Sequence, residues 1–322
     1  MKRRKLLLFS SVLTTVVSAA TTLFGIFVTN QLMYIKKKDD EFIYDREIKA
    51  QRFDEQWYNN CRKEEMLIDS PNGYQIKGVY LKPLDTKNTV IICHGVTENK
   101  INSVKYVRMY ERLGFNTFVF DHRRHGESGG KTTSYGYYEK FDLEAVVNTV
   151  KSIVGDEAVI GIHGESMGAA TTLLYAGAIE DNADFYIADC GFSDFSKQVS
   201  HVIKKQTVLR TQLPVHLADI FLRLRDGYSL KNVTPKEAVS KIESPILFIH
   251  SLQDDFILPE MTKEMYEEKN GPKMLKLFEY GAHAQSYNMN PVEYEQTVRA
   301  FLNQYVWDKE REKEDLKAEE IS

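Results

Sequence analysis

Six short apolar runs recur along the body of the chain, each separated from the next by a longer amphipathic stretch. The runs cover residues 89–93, 116–120, 158–163, 185–188, 245–250 and 274–278. Most are apolar on successive residues rather than on alternate ones, as in strands buried on both faces. The intervening stretches at 102–113, 138–154, 167–179, 259–269 and 291–305 are long enough to form helices. Repeated βα units of this kind predict the α/β class, a mostly parallel central sheet with helices on both faces. Right-handed crossovers leave few topologies for it. Ahead of these units, Met66-Leu67-Ile68, the turn Ser70-Pro71-Asn72-Gly73 and the run 76–81 read as a β-hairpin. The chain has 322 residues, enough to bury one large core. We place that domain at 63–306.

Three segments stand outside the rhythm. Residues 192–242 separate two strands by about fifty positions and carry Leu217, Ile220, Phe221 and Leu224 at helical spacing. They are expected to form a small helical cap over a binding site, or else an insertion that touches no substrate. The amino terminus opens with MKRRK, continues with 23 uncharged residues at 6–28, and is followed by Lys36, Lys37 and Lys38. At a rise of about 1.5 Å per residue such a run can cross a hydrocarbon core of about 30 Å. Residues 1–35 therefore read as a membrane anchor or as a cleaved signal segment, for which Val17-Ser18-Ala19 offers small-residue spacing. The balance of Lys and Arg favours a cytoplasmic amino terminus, giving a single-pass cell-membrane protein whose body is extracytoplasmic. The alternative is secretion after cleavage. Residues 36–62 are expected to be a linker helix, and the charged tail at 307–322 to be solvated helix or disorder.

A net charge of −4 gives no reason to expect a nucleic-acid partner. The cysteines, Cys61, Cys93 and Cys190, are odd in number and lack zinc-ligand spacing, so neither metal nor other cofactor is expected. Cys93 and Cys190 end apolar runs and should be buried thiols.

The chemistry centres on Gly164-Glu165-Ser166-Met167-Gly168. A strand-like run precedes it and a helical one follows, which is the setting of a nucleophile elbow. The sharp turn brings the residues two before and two after the serine together, and glycine avoids the clash. A serine hydroxyl needs a base within bonding reach and a group to orient that base. In elbow sheets these partners follow in the order acid then histidine, each after a later strand. Asp254 lies just past the run ending at His250, and His283 just past the run ending at Phe278. Asp255 is the rival acid. His94, His122, His125, His163 and His250 are read as structural or loop-ordering, and His201 and His216 fall in the expected cap. Two backbone N–H donors should face the developing oxyanion: Met167, directly after the nucleophile, and Val96, in the loop after the first parallel strand. The motif Asp121-His-Arg-Arg-His-Gly-Glu-Ser128 reads as a loop braced by its own ion pairs, and Tyr137 and Tyr138 as packing residues.

On these motifs the chain resembles the α/β hydrolases grouped with serine aminopeptidase-like and prolyl-oligopeptidase-like enzymes, and among them a bacterial subset with an N-terminal membrane segment. The likeness runs over about 66–305. It rests on His94-Gly95, Asp121-x-Arg123-x-His125-Gly126-x-Ser128, Gly164-Glu-Ser-Met-Gly168, Asp254-x-x-Ile257 and Gly281-Ala-His283. The family commonly has glycine where this chain has Arg124. The resemblance implies cleavage of an ester, amide or thioester of a small acyl substrate or short peptide. We expect an esterase, with an aminopeptidase as second reading and a non-catalytic membrane-tethered binding protein as the alternative of another class.

Overall fold

The computed structural model describes residues 2–207 and 211–307, with side chains from Leu13 onward. Among these residues eight strands form one sheet: β1 (Lys63–Asp69), β2 (Gln75–Leu81), β3 (Thr89–Cys93), β4 (Asn116–Phe120), β5 (Ile160–Glu165), β6 (Phe185–Asp189), β7 (Ile246–Ser251) and β8 (Lys273–Phe278). Their spatial order is β1-β2-β4-β3-β5-β6-β7-β8. The hairpin β1–β2 and the pair β2–β4 are antiparallel, and every other pairing is parallel. The apolar runs are continuous because both faces are covered. On β3, Ile91 and Cys93 enter one core layer while Val90 and Ile92 enter the other.

The helices follow in chain order: α1 (Lys2–Met33), α2 (Asp40–Lys49), α3 (Glu55–Asn60), α4 (Lys100–Arg112), α5 (Glu139–Val154), α6 (Met167–Ala178), α7 (Phe195–Gln206), α8 (Leu213–Asp226), α9 (Pro235–Val239), α10 (Pro259–Glu268), α11 (Ser286–Met289) and α12 (Pro291–Leu302). Helices α5, α6 and α10 cover one face of the sheet through Val146, Leu173 and Met265. Helices α4 and α12 cover the other through Val107 and Val298.

Two expectations shift. The strand expected at 158–163 begins two residues later: the Val159 N–H turns to Asn88 Oδ1 at 3.0 Å, while its carbonyl still accepts from Thr89 N–H at 2.9 Å. The strand ends at Glu165, directly before Ser166. The single linker helix expected within 36–62 is instead the pair α2 and α3. Asp39 and Asp54 each cap a helix by accepting a backbone N–H, and Gln51 between them sits at φ 56°. Ile43 and Phe53 on this segment are buried.

Residues 195–239 hold α7, α8, a 3₁₀ turn at Leu230–Asn232 and α9. Their apolar side chains form a third cluster that includes Phe195, Val199, Leu222 and, from other elements, Met33 and Met167. Helix α1 packs on α8, with Gly25 against the Phe221 ring. Residues Leu13–Met33 are apolar and long enough to cross a membrane. The charged tail expected at 307–322 lies outside the described residues except for Trp307, which ends a π-helical turn.

Candidate active site

At the end of β5 the chain turns into α6 with Ser166 at φ 58°, ψ −115°. A non-glycine residue held there costs about 1–3 kcal/mol and persists only where its surroundings impose it. The flanking glycines show how tight the turn is. A Cβ on Gly164 would lie 2.3 Å from the Gly168 carbonyl oxygen, and one on Gly168 would lie 2.0 Å from that of Cys93.

Ser166 Oγ is 2.8 Å from His283 Nε2, and His283 Nδ1 is 2.6 Å from Asp254 Oδ2. With Nδ1 donating to the carboxylate, Nε2 is free to accept the serine proton. Asp254 is 3% exposed. Its Oδ1 accepts the N–H groups of Phe256 and Ile257 at 2.9 and 3.0 Å, which accounts for the Asp-x-x-Ile spacing. Burial alone would push this carboxyl up, but hydrogen bonds from His250 and His283 hold it well below the usual carboxylate range. Asp255, the rival acid, is exposed and pairs with Lys205 at 2.6 Å.

His250 belongs to this assembly more closely than its sequence position suggests. Its Nε2–H is shared between Asp254 Oδ2 at 3.1 Å and the Ile257 carbonyl at 2.9 Å, while Nδ1 accepts from the Thr262 hydroxyl at 2.6 Å. The one sequence signal for this role is a histidine four residues before the acid, at the end of a buried strand. Cys190, Asp254 and His283 place ligand-type atoms within 4.8 Å of one another. Burial holds the Cys190 thiol protonated, its pKa raised well above the ordinary value, so the trio is an acid–base pair backed by a neutral thiol.

Val96 sits in a loop fixed by its neighbours. The Gly95 carbonyl accepts from Glu98 N–H at 3.3 Å and from His94 Nδ1 at 2.7 Å, and Thr97 N–H donates to His125 Nε2 at 3.2 Å. Among the described residues, the backbone N–H groups of Val96 and Met167 donate to no protein acceptor. Both residues line the same cavity as the Ser166 hydroxyl.

The remaining histidines order loops and core. His94 accepts the His122 N–H at 3.0 Å, and burial pushes its pKa down to about 4. His125 is pushed to about 3 by the same cause. His163 lies between the hydroxyls of Tyr110 and Tyr294 at 2.9 and 3.1 Å. In the Asp121–Ser128 loop, the buried Asp121 carboxylate accepts from the Lys100 backbone and side chain at 2.7 and 2.8 Å and from Glu127 N–H at 3.0 Å. Arg124 does take the left-handed conformation that glycine favours, at φ 64°, and its guanidinium donates to the Ile35 carbonyl at 2.8 Å. Tyr137 stacks on Tyr228, and Tyr138 donates to the Asp226 carbonyl.

Two cavities of about 510 Å³ each meet at Ser166, with Ile35, Val96 and Phe256 common to both. One is lined by charged groups, among them Arg46, Glu47, Arg52, Lys105 and Glu165. The other is almost wholly apolar and runs between α1 and α7. No sequence period marks Arg46, Glu47 or the α1 residues as cavity walls, since each reaches Ser166 only through packing of distant segments.

A family model described as the alpha/beta hydrolase fold matches residues 88–206. A Bacillus subtilis (strain 168) relative, the uncharacterized protein YqkD, is 47% identical over 93% of this chain and 97% of its own length. The chain belongs to the α/β-hydrolase fold family. Solved hydrolase folds agree in architecture. The Pyrococcus furiosus esterase Pf2001 superposes with a TM-score of 0.61 at 22% identity, over 76% of this chain and 93% of that one. The acetyl xylan esterase from Paenibacillus sp. R4 superposes with a TM-score of 0.57 at 16% identity, over 87% and 98% of the two chains.

Proposed function

We propose that this α/β-hydrolase chain cleaves a carboxylic ester, or a related acyl bond, through a serine acyl-enzyme. The observation that carries the reading is the unbroken line of hydrogen bonds from Ser166 through His283 to Asp254. His283 Nε2 takes the hydroxyl proton as Ser166 Oγ attacks the substrate carbonyl. The Met167 and Val96 amides receive the oxyanion. His283 then gives the proton to the leaving group, and water, activated by the same imidazole, releases the acid. Asp254 holds the imidazole tautomer and stabilises its cation.

The charged cavity favours an ester over an aminopeptidase substrate. A free amine needs an unneutralised carboxylate, and Glu165, the nearest candidate, is bonded to Lys105 Nζ at 2.5 Å and to the Tyr106 hydroxyl at 2.7 Å. Glu47 is held by Arg46 and Arg52 in the same way. The strained backbone at Ser166 speaks against a non-catalytic binding role, which has no use for it. The esterases among the structural neighbours support small acyl substrates, the apolar N-terminal helix supports a single-pass cell-membrane protein, and the balance of Lys and Arg about that helix favours a body outside.

Labelling with a fluorophosphonate probe tests the chemistry. Wild type should react and Ser166→Ala should not. A folded wild type that stays unlabelled, and that turns over no p-nitrophenyl or aminoacyl substrate, would sink this reading.

A further inference from the structure

Helix α1 does more than enter a membrane. One face of its carboxyl-terminal part, Phe24, Phe27, Val28, Gln31 and Leu32, with Ile35 just beyond, lines the apolar cavity that ends at Ser166. Those positions follow the i, i+3, i+4, i+7, i+8, i+11 spacing of a single helical stripe. The opposite wall is α7, through Val199, Val202 and Ile203. The arrangement is pinned at several points. Arg225 on α8 bonds to Thr29 Oγ1 and to Asn30 Oδ1, Thr133 N–H donates to the Met33 carbonyl at 2.9 Å, and Arg124 holds the Ile35 carbonyl.

We propose that this groove binds the acyl chain of a single-chain lipid ester drawn from the membrane surface, so that α1 is both anchor and wall of the substrate site. The proposal rests on the serine-esterase reading and names its substrate class. Three observations commit the groove to that occupant. It ends at the nucleophile, so what fills it must present a carbonyl there. From Phe24 to Leu32 it follows about 12 Å of helix axis at 1.5 Å per residue, the length of an extended chain of on the order of ten carbons. The cavity on the other side of Ser166 is charged, which suits a polar leaving group rather than a second chain. The position relative to a bilayer agrees. The groove lies along the carboxyl-terminal half of the apolar span Leu13–Met33, the half nearest the body of the protein. Leu23 and Phe27 are exposed there, and Leu213, Ile220 and Leu224 on α8 are exposed as well.

The test uses the full-length chain in detergent with p-nitrophenyl acetate, octanoate and laurate, and a monoacylglycerol in mixed micelles. From acetate to octanoate, kcat/KM should rise up to about fourfold per methylene, the factor for about 0.8 kcal/mol of burial each. Val28→Trp and Ile203→Trp, which fill the groove at two places, should each lower the laurate-to-acetate ratio about tenfold or more. Ile153→Trp, on the exposed side of α5, should leave the ratio unchanged. Fluorophosphonate labelling of each variant confirms a formed site. A flat chain-length profile, or a ratio that neither groove variant moves, overturns the groove while leaving the esterase reading intact. Turnover of an acylated peptide in clear preference to the monoacylglycerol overturns the assignment to a small lipid. No turnover of any ester, acetate included, by labelled wild type sinks the esterase reading and this proposal together.

Discussion

The carboxylate of Asp254 accepts from two backbone N–H groups on one oxygen and from two histidines on the other, so each of its lone-pair directions is used. This matters for charge as well as for orientation. Replacing it with asparagine keeps the shape but turns an acceptor into an amide N–H₂ at one of the two oxygens, which favours the wrong tautomer of His283. Asp254→Asn should lower kcat by about 10⁴-fold with little change in KM, read from steady-state kinetics on a soluble ester. The same bonds have a pH signature. Because the folded-state pKa is depressed, the carboxylate contributes stability that is fully present above its unfolded value of about 3.9 and is lost as pH falls below it. Urea denaturation midpoints should therefore fall more steeply below about pH 4 in wild type than in Asp254→Asn.

At the scale of elements, the β5–α6 elbow is fixed by backbone approach rather than by side-chain packing. The Cys93 carbonyl stands where a side chain on residue 168 would begin. Neither β3 nor α6 can retreat without opening a sheet pairing or the core beneath it. Gly168→Ala should destabilise the fold by about 3 kcal/mol, measured by equilibrium unfolding, and fluorophosphonate labelling should be lost along with it. The Arg124 loop shows the converse. There the chain accepts a left-handed residue with a side chain, and the guanidinium ties this loop to the end of α1 through Ile35.

Seen as a whole, the molecule places Ser166 where the sheet, helices α7 and α8 and the N-terminal helix meet. The charged cavity is built from α2, α4 and the elbow, and the apolar one from α1 and α7. The proposed outward orientation has a direct check in Cys61, which is partly exposed, while Cys93 and Cys190 are buried. In intact cells a membrane-impermeant maleimide should label the wild type and not Cys61→Ser. Burial raises the Cys61 pKa, so the labelling should be slow and should speed up with rising pH. Labelling only after cell lysis would reverse the orientation.

The strands, the helices behind them, and the identities of Ser166, Asp254 and His283 as the residues to watch were all legible in the sequence, because they depend on local patterns. Apolar runs set burial, glycine spacing sets the elbow, and chain order sets which loops follow which strands. What the sequence left open depends on distance through space. Asp254 and Asp255 are neighbours with the same chemistry, and only the loop's path puts the first beneath His283 and the second in solvent. His250 and Glu165 become partners of the site through side chains that no motif links. The largest gap was α1: its composition shows that it can enter a bilayer, but one face of its last turns reaches Ser166 only because α8 and the Arg124 loop hold it there. Local pattern determines what each segment can become; contacts between segments far apart in the chain exist only once the whole is packed.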